Sequence, residues 1–130
     1  MLKFLNPEGN YAPPGNGYTQ TVTVPANARW LVLAGQVGLR PDGTLPKGIE
    51  EQAEQCYKNV LACLKGNGMG PEDLVKMTVI LTDNRYIPAY RAARDKIIGT
   101  QYKPAATLIV VDGLAAPEML MEVEAIAAKV

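Results

Sequence analysis

The chain contains no histidine. That removes the Ser-His-Asp and Cys-His mechanisms together with the commonest zinc ligand. Cysteine is scarce as well: Cys56 and Cys63 are the only two. On a helix they would share a face about 10 Å apart, too far for a disulfide, so both read as reduced core residues. With so few nitrogen and sulfur ligands, no metal site of the usual kinds can be written. Chemistry is left to carboxylates, Arg, Lys, Tyr, backbone groups and water. Net charge is absent too, because 13 basic residues balance 13 acidic ones. No Lys/Arg run appears, so neither nucleic acid nor an anionic membrane is an expected partner. No apolar run is long enough to span a bilayer. The opening MLKFLNPEGN has neither the apolar core nor the cleavage pattern of a signal peptide, and a cytoplasmic location is the default expectation.

What is present fits one domain over residues 1–130. No repeat or low-complexity tract interrupts it. PEGNYAPPGNG (7–17) reads as a loop, YTQTVTV (18–24) as a half-exposed strand, and WLVLAGQVG (30–38) as a central strand apolar on both faces. A helix is expected from about 49 to 65, with Ala53, Cys56, Tyr57, Val60 and Leu64 forming its buried stripe. Glu54 and Lys58 are placed as an i,i+4 pair on its wet side, and Gly66 and Gly68 stop it. DLVKMTVILTD (73–83) is the next strand. Asp83 or Asn84 caps a second helix with Pro88 in its first turns, Tyr86, Tyr90, Ala93 and Ile97 on its apolar stripe, and Gly99 at its end. Two strands follow near 105–111 and 119–128.

The order is β-β-β-α-β-α-β-β, an α+β pattern with hairpins expected at both ends. Two helices cover one face of a six-stranded mixed sheet, yet WLVLAG and ATLIVV are apolar on both. The second face needs a cover, and self-association is the simplest one.

Three stretches could carry chemistry. In MLMEVEAIA (119–127), Glu122 and Glu124 are two apart and share one strand face with Leu120, Ile126 and Ala128. A wet strand face, a structural ion pair and a general acid/base all suit such a pattern, and periodicity does not separate them. In AGQVG (34–38), Gly35 and Gly38 permit close approach by a backbone or ligand, although no phosphate-loop spacing surrounds them. In YKPAATLIVV (102–111), the small residues Ala105, Ala106 and Thr107 leave room beside the backbone.

Taken together, AGQVG, EQAEQCYKNVLACL, DLVKMTVILTD, KPAAT and MEVEAIA, in this order, resemble the Rid (reactive intermediate deaminase) or YjgF-like family over nearly the whole chain. The resemblance implies a chorismate-mutase-like fold and a homotrimer with inward-facing sheets and clefts at the subunit contacts. It also implies hydrolysis of imine or enamine acids to keto acids and ammonia, without a metal or organic cofactor. By the same resemblance Glu122 handles the attacking water, Tyr18 closes the cleft and Gly35 lines it, while Glu124 is a structural partner at the subunit contact. One departure is plain. The family's Pro-Ala-Arg-Ser/Thr motif is Pro104-Ala105-Ala106-Thr107 here, so the arginine that clamps the substrate carboxylate is replaced by Ala106. Arg91, on a second-helix position that reaches the cleft in the family, is the expected compensating cation. Lys103 and Arg94 are lesser candidates. A divergent hydrolase, a metabolite-binding trimer without turnover, and a ribonuclease are the readings in play. The last fits worst with zero net charge and no histidine.

Overall fold

The long helix forms where its stripe is. In the computed structural model, which describes residues 1–130, α1 runs Ile49–Gly66, and Ala53, Cys56, Tyr57, Val60 and Leu64 are all fully buried. Glu50 and Glu51 stand in its first turn and Lys65 in its last, each matching the sign of the helix dipole. Gly68, at φ +70°, takes the left-handed turn that ends the segment. The other helix, α2 (Ile87–Ile97), follows a short 3-10 turn at Asn84–Tyr86 that Asp83 caps by accepting the Arg85 amide at 2.8 Å. Gly99, at φ +105°, closes it.

Six strands complete the chain: β1 (Lys3–Leu5), β2 (Thr21–Thr23), β3 (Arg29–Val37), β4 (Leu74–Leu81), β5 (Ala105–Val110) and β6 (Met121–Lys129). The α+β order is the expected one. The strands divide between an antiparallel ribbon, β1-β2, and a mixed four-stranded sheet in the order β3-β6-β4-β5. The C-terminal pair is not a hairpin. β5 joins β4 in parallel, and β6 crosses over to lie antiparallel between β3 and β4. Strand β2 is also shorter than expected, because Thr19 bonds instead to Lys103 and Pro104 just before β5, and Gln20 to Asn6 and Tyr11.

The register sorts residues into two faces. Leu33, Ala125, Met77 and Ala106 form one row on the helix side, and Val123, Val79 and Leu108 form the next. On the opposite face, Val37, Glu122, Ile80 and Ile109 share a row, and Glu124, Thr78 and Thr107 share another. No helix covers that second face. Trp30 is 55% exposed, Val32 74% and Ile109 43%.

Two side-chain amides fasten α1 to the segments around the sheet. Gln52, fully buried, donates to the carbonyls of Pro46 (2.8 Å) and Glu118 (2.9 Å) and accepts the Leu120 amide (2.9 Å). Asn59 donates to Val37 O and Leu39 O at 3.0 and 2.8 Å. Gly38 lets the layers meet, since a Cβ there would lie 2.8 Å from the Gln52 Cα and carbonyl oxygen. Glu54 pairs with Lys96 of α2 at 2.9 Å rather than with Lys58, tying the helices together. Neither helix is long and apolar enough to cross a membrane.

Candidate functional site

Helix α2 packs against α1 and stands away from the β5 edge of the sheet, leaving a cleft of about 160 Å³. Tyr18, Arg91, Ala106 and Thr107 all line it, so four of the six expected site residues meet in one place. Tyr18 is held there by its neighbour. Thr19 is buried and donates from Oγ1 to Lys103 O at 2.6 Å, while its amide donates to Pro104 O at 3.3 Å. This staple carries the N-terminal loop across the start of β5. Partial burial, with the Tyr11 hydroxyl adding to it, pushes the Tyr18 phenol above its ordinary pKa. At neutral pH it is a hydrogen-bond donor.

Arg91 is exposed and forms no ion pair or hydrogen bond within the chain. Neither Glu122 nor Glu124 engages it, so the guanidinium is available to a ligand. Ala106 extends no further than its Cβ, and the space beside it belongs to the cleft. Thr107 accepts a hydrogen bond from Lys76 Nζ at 2.6 Å, across the open face. The Lys103 side chain borders neighbouring hollows and not the Arg91 cleft.

Glu122 and Gly35 form a second, separate cluster. The pairing of β3 with β6 slips between Leu33 and Gln36, so Ala34 and Gly35 together oppose Glu124 alone. This β-bulge turns Gly35 toward the open face. A Cβ at 35 would lie 2.7 Å from Glu122 Cδ and closer still to its Oε2. The absence of a side chain at 35 is therefore what lets the half-buried carboxylate lie along β3. Glu122 does not line the Arg91 cleft, and Ala106 lies on the opposite face of the sheet from it.

Two further cleft residues were not singled out as principal candidates from the sequence. The Arg94 side chain is only 16% exposed. Its guanidinium sits 5.9 Å from the Tyr90 ring centroid and against Gly17, where a Cβ would meet Nη1 at 2.9 Å. Tyr57 is fully buried in the α1 stripe and lines the cleft, yet its hydroxyl has no hydrogen-bond partner in the protein. Burial holds the proton on that hydroxyl, with Tyr90 adding and Arg94 opposing. An unpartnered buried hydroxyl typically costs about 1–3 kcal/mol. The signal in the sequence was a tyrosine inside an otherwise apolar stripe, because a buried Tyr O–H normally finds a partner.

Comparison with known proteins agrees with this architecture. The sequence profile of the endoribonuclease L-PSP family matches residues 9–129. A RutC family protein of Pyrococcus horikoshii is 31% identical over 122 residues, 92% of this chain and 93% of that one. The 2-iminobutanoate/2-iminopropanoate deaminase of Mus musculus is 40% identical over 75 residues, 55% of this chain and 53% of its own. For that deaminase and for another curated relative, the match spans about half the length. Among solved structures, the Rid family protein YyfB of Yersinia pestis, itself of unknown function, superposes with a TM-score of 0.86 at 29% identity, covering 98% of each chain.

Proposed function

Because this chain belongs to the endoribonuclease L-PSP family, the Rid or YjgF-like proteins, we propose that it binds a small carboxylate in the Arg91 cleft and hydrolyses an imine or enamine acid to a keto acid and ammonia. The observation that carries this reading is Arg91 itself, an uncommitted guanidinium beside Tyr18 and Ala106 in one cleft. A planar guanidinium suits a carboxylate bidentately, and Arg91 supplies from α2 the charge that position 106 lacks. An enamine first takes a proton on its β-carbon to become the imine. Water then adds to the imine carbon while its proton passes to nitrogen. The C–N bond breaks as the hydroxyl becomes the carbonyl, and ammonia leaves.

The residue for moving those protons is Glu122. Within one chain it faces away from the cleft, so the reading calls for Glu122 and Gly35 of a second copy. The uncovered face bearing Trp30, Val32 and Ile109 supports self-association, and a homotrimer is the assembly proposed. A second reading, a metabolite-binding protein without turnover, draws on the same separation. If copies assemble without bringing Glu122 to Arg91, binding remains and chemistry does not.

The test generates 2-aminoacrylate or 2-iminobutyrate with a dehydratase and follows its decay. Faster decay with wild type, lost in Glu122→Gln and Arg91→Ala, supports the deaminase. Decay identical with and without protein, alongside Arg91-dependent carboxylate binding, favours the binding protein.

A further inference from the structure

The cleft contains more polar chemistry than a single carboxylate uses. Arg91 and Arg94 are i,i+3 on α2, which sets their Cβ atoms roughly 5–6 Å apart on one helix face. No acidic residue of the same chain lines the cleft. Arg91 is exposed, Arg94 largely buried and Tyr57 fully buried, so the three mark increasing depth. Arg94 commits Nε and Nη2 to its sequence neighbour Asp95, both at 3.1 Å, while Nη1 makes no hydrogen bond in the chain. The guanidinium lies against Gly17 and over the Tyr90 ring. Tyr57 lines the same cleft, and its hydroxyl is a buried donor with nothing in the protein to receive it.

We propose that Tyr57 and Arg94 form an inner anion subsite that makes the cleft selective for a small dicarboxylate. Arg91 takes the outer carboxylate. The inner one accepts from Tyr57 Oη and Arg94 Nη1. Two carboxylates joined by a short carbon chain match two guanidiniums one helical turn apart, and the inner carboxylate gives the orphan hydroxyl its partner. This deepens the carboxylate reading above and rests on it.

Calorimetric titration of the full chain with succinate and with propionate tests the idea. Wild type is expected to bind succinate at least tenfold more tightly than propionate. Tyr57→Phe, which keeps the ring and removes only the hydroxyl, should erase about tenfold of the succinate affinity and leave propionate unchanged. The same variant should melt at a higher temperature, because Phe leaves no unpaired buried hydroxyl. A hydroxyl with a purely structural role would lower it. Arg94→Gln should likewise reduce the succinate preference, whereas Arg91→Ala should weaken both ligands. Equal affinity for the two ligands in wild type, with Arg91→Ala weakening both, overturns the inner subsite and leaves the carboxylate reading standing. A Tyr57→Phe protein with full succinate preference also overturns it. If neither ligand binds, both ideas fail together.

Discussion

Glu122 rests its carboxylate over Gly35, and a Cβ built at 35 would come within 2.7 Å of Glu122 Cδ. The glycine is needed for that carboxylate and not for an unusual backbone, since its φ lies outside the left-handed region. Gly35→Ala should therefore fold normally, with stability changed by less than about 1 kcal/mol as the flexible Glu122 side chain swings aside. Activity on an imine acid should fall roughly 10²-fold, as for loss of a general acid/base. Melting curves and the coupled decay assay read the two effects separately.

Gly38 gives the opposite pattern. A Cβ there meets the backbone of Gln52 at 2.8 Å, and helix backbone does not swing aside. Gly38→Ala should destabilise the fold by about 1–3 kcal/mol, the usual effect of overpacking. A lowered urea midpoint with unchanged m-value would register it.

Gln52 leads from α1 directly to the start of the strand that bears Glu122. Its amide serves three backbone groups, two of them in the Glu118–Leu120 segment. Gln52→Leu fills the volume but strands those groups, and should cost about 3 kcal/mol. Urea unfolding measures the loss. A variant as stable as wild type would mean that the approach to β6 is held by something else.

The elements most legible in the sequence were those decided by local periodicity. The α1 stripe from Ala53 to Leu64 follows from 3.6-residue spacing, and burial bears out each residue. Pairing partners are a different matter. β5 and β6 are neighbours in sequence and suggest a hairpin, yet β6 lies between β3 and β4, a choice made by the assembled core. Likewise Glu54 and Lys58 have the right spacing on one helix, but Lys96 of α2 arrives at Glu54 from outside it. At the site, the resemblance to a family brought out Tyr18, Arg91, Ala106 and Thr107, which do line one cleft. Periodicity marked Tyr57 as interior without revealing that its hydroxyl is unpartnered, and Arg94 stood only as a lesser candidate for the compensating cation. Whether a cleft and an acid share a face depends on sheet order, which no short motif encodes.

The two cysteines should differ sharply in reactivity. Burial pushes the Cys56 thiol up to about 12, with the Glu122 carboxylate adding to it, and both cysteines are free. Below that pH Cys56 stays protonated and is a poor nucleophile. A thiol-reactive chromogen at pH 8 should modify only the half-buried Cys63 in the native protein and both cysteines in denaturant.

Asp83 ties the stability of α2 to pH. Hydrogen bonds from the Arg85 side chain and amide hold its carboxyl at about 2, against an ordinary 3.8. A depressed folded-state pKa stabilises above the unfolded value and stops doing so as pH falls through the folded one. The difference in melting temperature between wild type and Asp83→Asn should be constant above about pH 5, fall to a small remainder by about pH 2 and disappear toward about pH 1. An undiminished difference at about pH 2 would mean that the cap does not depend on the carboxylate's charge.

Mixing two disabled proteins tests most directly whether one copy's acid serves another copy's cleft. Arg91→Ala and Glu122→Gln are each expected to be inactive alone on 2-iminobutyrate. Co-refolded in equal amounts, random assembly into the proposed trimer would place an intact Arg91 cleft beside an intact Glu122 in one half times one half of the contacts, so about a quarter of wild-type activity should return. A mixture no more active than its parents, beside an active wild type, would contradict the shared cleft.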